Sequence, residues 1–288
     1  MAHLNVSSRA TRPRWSRTFL LEESFTVVLS LRRQDIPPAE RRDNSSVDSA
    51  GSYHLANAHS IFVSPPLSTA LEEADIDEES DSLAELIERL GDIPLNRIRL
   101  HPAPGTATED DVIAALEAPR KRICELIDGV LVEQASEYPE SILTSWLIVL
   151  RNAFVRPRNL GLVSSPDGTL RLWAGRVRIP DVAFTSWDRM PGRKRPTKPI
   201  PELSPDLAVE VLSPSNTKGE MQLKLTDYFS VNVRLVWIVD PQARTVKVYT
   251  GLDDMTLLSE RDTLDGGAVL PGFSVSLADL FAELDRQG

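Results

Sequence analysis

The chain divides into a part with no apolar period and a part organised by one. Residues 1–81 hold polar runs such as RRDNSSVDSAGS and end in the acidic LEEADIDEESDS, Leu71 to Ser82. Such composition predicts a disordered or loosely packed N-terminal extension. Periodic order starts near Ser82, which places one domain over 82–288 with its core at about 122–250. In LAELIERL, Leu83, Leu86, Ile87 and Leu90 fall on one side of a helix. Thr108 is placed to cap DVIAALEA, with acids in the first turn. RICELIDGVLVEQ is two apolar runs around Asp128-Gly129, a hairpin signal because both turn positions tolerate positive φ. PESILTSWLIVLRNAF predicts a buried helix with Pro139 in its first turn and Ile142, Trp146, Val149 and Leu150 as its core stripe.

Strands dominate from there: GLVSS, a Pro166-Asp167-Gly168 turn, TLRLW, RVRIPDVAF and PDLAVEVLS. A helix over about 218–229, the strands RLVWIVDP and RTVKVYT, and a final helix in SLADLFAEL complete the pattern. Together these predict an α/β fold, a mixed sheet flanked by helices. The right-handed crossover makes DLAVEVLS and RLVWIVD parallel neighbours.

The net charge of −10 gives no global attraction to nucleic acids or anionic membranes, so a nucleic-acid role requires a locally basic surface. One cysteine, Cys124, rules out an intramolecular disulfide and suits a reducing cytoplasm. The apolar stretch TFLLEESFTVVLSL is interrupted by Glu22 and Glu23, too short and polar to span a bilayer. These features predict a cytoplasmic protein with no membrane partner. His3, His54, His59 and His101 lack metal-ligand spacing, and no phosphate-binding glycine loop, nucleophile elbow or zinc signature occurs.

Two acids stand out because they sit in apolar runs: Asp181 in RVRIPDVAF and Glu210 in PDLAVEVLS. Strand alternation puts Asp206, Ala208, Glu210 and Leu212 on one face. Pro180 donates no ladder hydrogen bond, so Asp181 belongs at an edge, bulge or strand end. On neighbouring strands the two carboxylates would repel, a conflict that a shared proton or a hard divalent cation relieves. Lys224 falls beside the helix stripe of Met221, Leu225, Tyr228 and Phe229, within reach of those acids, and Lys218 in the first turn is a second candidate. Spacing alone describes a structural ion pair as well as a reactive centre.

PDLAVEVLSPSNTKGEMQLKLTDYF, the following NVRLVWIVDP, the preceding IPDVAF and the hairpin ELIDGVLVE together resemble the Uma-type restriction endonuclease family of the PD-(D/E)XK nuclease superfamily. The likeness covers roughly 122–249. It implies a restriction-endonuclease-like core and Mg²⁺- or Mn²⁺-dependent hydrolysis of DNA phosphodiester bonds. Asp181 and Glu210 would then be metal ligands, Glu140 on the early helix a further ligand, and a lysine would assist the attacking water. The superfamily pattern has that lysine two residues after the glutamate, where this chain has Leu212. Lys224 on the next helix takes its place, so the implied catalytic set is Asp181, Glu210 and Lys224. Many relatives carry a histidine near the start of the early helix, where this chain has Tyr138 to Ser141, and a glycine where it has Asn232.

In this setting the basic loop, Arg189, Arg193, Lys194, Arg195 and Lys198, becomes a candidate for phosphate contacts. The alternative expectation is a non-catalytic nucleic-acid-binding module, or a homodimeric assembly module, on the same fold. Glycoside hydrolysis by a carboxylate pair fits less well, because a lysine neighbours the acids and no exposed aromatic platform is evident.

Overall fold

The structure, a computed structural model, describes residues 82–135 and 137–287. The expected N-terminal extension, the TFLLEESFTVVLSL stretch and three of the four histidines lie outside the described residues. In chain order the regular elements are α1 (Leu83–Arg89), α2 (Glu109–Glu117), β1 (Cys124–Ile127), β2 (Val130–Glu133) and α3 (Tyr138–Val155). Next come β3 (Gly161–Ser164), β4 (Leu170–Trp173), β5 (Arg176–Arg178), β6 (Val182–Ser186), β7 (Leu207–Val211) and α4 (Lys218–Ser230). The chain closes with β8 (Leu235–Asp240), β9 (Thr245–Tyr249), β10 (Met255–Ser259), β11 (Thr263–Gly266), β12 (Leu270–Ser276) and α5 (Leu277–Ala282).

A six-stranded mixed sheet, ordered β10-β9-β8-β7-β6-β3, forms the centre. Its one parallel pair is β7 with β8, joined through α4 as the crossover pattern requires. Side chains alternate across β7. Leu207, Val209 and Val211 pack with Leu143 and Leu147 of α3 and with Leu277, Leu280 and Phe281 of α5. Ala208 packs on the opposite side with Met221, Leu225 and Tyr228 of α4. A second sheet, β2-β1-β5-β4, begins with the hairpin at Asp128 (φ 47°) and Gly129 (φ 74°) and carries α1 and α2 against it. The Asp111 carboxylate at the start of α2 accepts from both the N–H and the hydroxyl of Thr108 (2.8 Å each), which fixes that helix start. Asn232 takes positive φ (61°) just past α4, as an asparagine replacing glycine can.

Several sequence expectations need correction. The buried face of α3 is Glu140, Leu143, Thr144, Leu147, Arg151 and Val155, whereas Val149 is exposed and Ile142, Trp146 and Leu150 are only partly covered. The helix is apolar nearly all round, so apolar letters alone set the wrong phase. The true core face carries three polar residues, including Arg151, whose guanidinium lies 4.4 Å from the centre of the Trp237 ring. Burial alone pulls that arginine's pKa down to about 9. Leu83 of α1 is exposed while Leu86 and Leu90 are buried. RVRIPDVAF is two strands, with Ile179, Pro180 and Asp181 bridging β5 and β6, which belong to different sheets. The strands β10 to β12 had no counterpart in the sequence reading.

Candidate active site

The break between β5 and β6 is what places Asp181. The β6–β7 register runs Val182↔Val209 and Ala183↔Ala208; carried one residue further, it sets Asp181 opposite Glu210. The Asp181 carboxylate accepts the Val211 N–H at 2.7 Å. Burial, together with the neighbouring Glu210 charge, raises its pKa to about 7 despite the opposing pull of Lys224.

Glu210 is buried on the α4 side of β7. Lys224 and Tyr228 are one helical turn apart on α4, so both reach it. The Lys224 Nζ donates to Glu210 Oε2 at 2.7 Å, and the Tyr228 hydroxyl donates to Oε1 at 2.5 Å. Burial raises the Glu210 pKa, the lysine opposing it, and raises Tyr228 well above the ordinary phenol range. Lys224 would be driven down by burial, but Glu125 and Glu210 raise it above the usual ammonium value, so it remains charged.

Glu125 is the partner that sequence reasoning missed. It lies in β1, buried, with Oε1 3.3 Å from Lys224 Nζ and accepting the Ile179 N–H at 3.0 Å. Its Oε2 accepts from Arg178 Nη1 at 2.7 Å. Burial pushes this carboxyl upward, but Lys224, Arg178 and the Ile179 N–H more than offset it and hold it at about 2. Arg178 also donates from Nε to Asp227 at 2.6 Å. Glu125 therefore ties together the segment carrying Asp181, the helix carrying Lys224 and the second sheet. Its signal was the one that exposed Glu210, an acid inside an apolar strand, in CELI.

Glu140 is in the first turn of α3, buried, with Oε2 lacking any hydrogen-bond partner. Glu140 and Asp181 line one cavity of about 110 Å³, together with Thr144, Pro166 and Val211. Glu210 does not line it; it stands on the other side of β7 with Lys224. Among the described residues no three His, Cys, Asp or Glu side chains converge in a ready-made cage. The chemistry of the cavity still suits a hard dication: oxygen donors only, one buried carboxylate oxygen unsatisfied and a second carboxyl raised to about 7 by burial and by the Glu210 charge. Lys218 is exposed, so of the two candidate lysines only Lys224 reaches the acids.

The basic loop separates into two groups. Arg189 bonds Asp206 (Nε, 3.0 Å) and the Asn232 carbonyl, and Arg193 pairs with Asp188. Lys194, Arg195 and Lys198 are exposed and have no ionic or hydrogen-bond partner among the described residues.

The profile of the family described as "Uma2: Putative restriction endonuclease" matches residues 111–278, more than half of the chain. The chain belongs to the Uma2 family. No curated protein matches it. Among solved structures, one described as a "putative nuclease belonging to DUF820" from Anabaena variabilis superimposes with a TM-score of 0.53. It is 19% identical, and the match covers 62% of this chain and 98% of that one. That likeness establishes a shared fold, a mixed sheet flanked by helices. The Uma2 match runs from within α2 to the start of α5 and so contains Glu125, Glu140, Asp181, Glu210 and Lys224. No described helix is long and apolar enough to cross a membrane.

Proposed function

We propose that this Uma2 protein is a cytoplasmic, divalent-cation-dependent DNA endonuclease. The observation that carries the reading is the shared cavity of Glu140 and Asp181, with the Glu210–Lys224 pair directly behind β7. Asp181 and Glu140 would hold Mg²⁺ or Mn²⁺ in the cavity, and Glu210, on the other face of β7, would hold Lys224 behind them. When bound, the cation supplies positive charge to the scissile phosphate and lowers the pKa of the attacking water. Lys224 acts as a cation and hydrogen-bond donor, because the acids around it keep it protonated. Glu125 is its second acceptor, so the ammonium is held from two sides. Tyr228 donates to Glu210, which favours the ionised form that pairs with Lys224. Lys194, Arg195 and Lys198 would contact backbone phosphates, giving an acidic protein a local footing on DNA.

Plasmid nicking tests this. Cleavage is expected with Mg²⁺ or Mn²⁺ and is expected to vanish with EDTA and in Glu210→Gln; cleavage that survives both overturns the proposal. A second reading, a non-catalytic nucleic-acid-binding or dimeric assembly module, is favoured by one observation: both Glu210 oxygens are already satisfied by α4. It expects calorimetric titration with Mn²⁺ to register no binding.

A further inference from the structure

The loop between β6 and β7 is anchored at both ends. Arg189 ties its start to Asp206, while near its end the Arg171 N–H of β4 donates to the Pro201 carbonyl (2.9 Å) and Leu203 donates back to Arg171 (3.2 Å). The Thr169 hydroxyl adds a bond to the Pro199 carbonyl at 2.9 Å. Held this way, the loop closes one side of a cavity of about 300 Å³. Its floor is apolar, built from Leu162, Leu170, Met190 and Leu203. Arg195 and Lys198 line its rim, two of the three unpaired cations of the loop, whereas Lys194 does not line it.

An apolar floor suits a flat ring, and two free cations in a protein of net charge −10 suit an anion held beside it. The volume accommodates one nucleotide and is far too small for a duplex. The β3–β4 turn separates this cavity from the acidic one: Pro166 lines the acidic cavity, and Asp167 and Gly168 line this one. We propose that this cavity holds one unstacked nucleotide of the DNA strand, its base over the apolar floor and its phosphate at Arg195 and Lys198. The inference rests on the nuclease reading for the identity of the strand, and it adds that the substrate presents a single-stranded or extruded nucleotide near the scissile bond.

Binding measured in EDTA separates the pocket from catalysis. Calorimetry would compare inorganic phosphate, deoxythymidine monophosphate and a single-stranded octanucleotide on the full chain. The mononucleotide is expected to bind about tenfold more tightly than phosphate, since the base adds apolar and stacking contact. Arg195→Gln/Lys198→Gln is expected to weaken both nucleotide ligands by about tenfold and to flatten the octanucleotide's salt slope by roughly 1.4. Lys194→Gln should leave mononucleotide affinity within about twofold, because an exposed charge outside the cavity is screened. A mononucleotide that binds no better than phosphate, or loses as much affinity in Lys194→Gln as in the double variant, overturns the pocket. A free mononucleotide that binds while the octanucleotide does not overturns its assignment to a strand. EDTA-sensitive nicking alongside nucleotide binding that is unaffected by the double variant overturns this inference alone. Binding that depends on Arg195 and Lys198 without any nicking supports the pocket and overturns the nuclease.

Discussion

Asp181 is the residue whose environment most directly conflicts with its charge. The folded state raises its carboxyl to about 7, above the roughly 3.9 of an unfolded aspartate. Its contribution to stability is therefore fully present below about pH 4 and lost as the pH rises through 7. Asp181→Asn keeps an acceptor for the Val211 N–H but removes the ionisation. In EDTA, melts of variant and wild type are expected to coincide near pH 4 and separate progressively to pH 7. There the variant should be the more stable by on the order of 3 kcal/mol, and a gap independent of pH would contradict the raised carboxyl. Asp181 and Glu210 were legible in the sequence because acids inside apolar runs are costly and demand a reason. Glu125 sent the same signal from CELI, but its partners come from β5 and α4, far along the chain, so spacing could not pair it.

At the scale of elements, the site depends on how closely α1 approaches the start of α4. Gly91, at positive φ (81°), and Gly219 touch backbone to backbone: a Cβ on Gly219 would lie 2.7 Å from the Gly91 carbonyl oxygen. The Thr217 hydroxyl, which caps α4 through the Glu220 N–H, also donates to that carbonyl. One turn on, Glu220 receives both Nη atoms of Arg97 (2.9 and 2.7 Å). Gly219→Ala cannot be accommodated by a flexible neighbour, because every atom it meets is backbone. Urea unfolding is expected to register a loss of about 1–3 kcal/mol; a loss below about 0.5 kcal/mol would mean that α4 simply shifts. Helix existence was readable from the periods of α1 and α4, whereas their contact was not. Two isolated glycines look like turn residues until the fold brings them face to face.

For the molecule as a whole, a dication held by Asp181 and Glu140 would offset the burial of the first carboxyl and give the unpartnered Oε2 of the second a ligand. Mn²⁺ at about 100 times its dissociation constant would then stabilise the folded state by about 2.7 kcal/mol. For a domain of this size that raises Tm by roughly 5–10 °C. The shift should be reversed by EDTA and lost in Asp181→Asn and Glu140→Gln, measured by thermal melts; an equal shift in the variants would place the cation elsewhere.

By itself the sequence determined the α/β class, the hairpin, the β7–α4–β8 crossover, two of the acids and the lysine. Each of these is written in local period, turn chemistry or a charge in an apolar run, and such signals act over neighbouring residues. The tertiary structure decided the phase of α3, since its core face holds Glu140, Thr144 and Arg151 where apolar counting expects none. It decided that the basic loop is an anchored wall with three free cations, since Asp206 and Asp188 draw in Arg189 and Arg193. It also split the acids, setting Glu140 and Asp181 on a cavity and Glu210 behind it with Lys224 and Glu125. Which charges compensate one another depends on distances between strands and helices remote in the chain, and only the packed fold sets those distances.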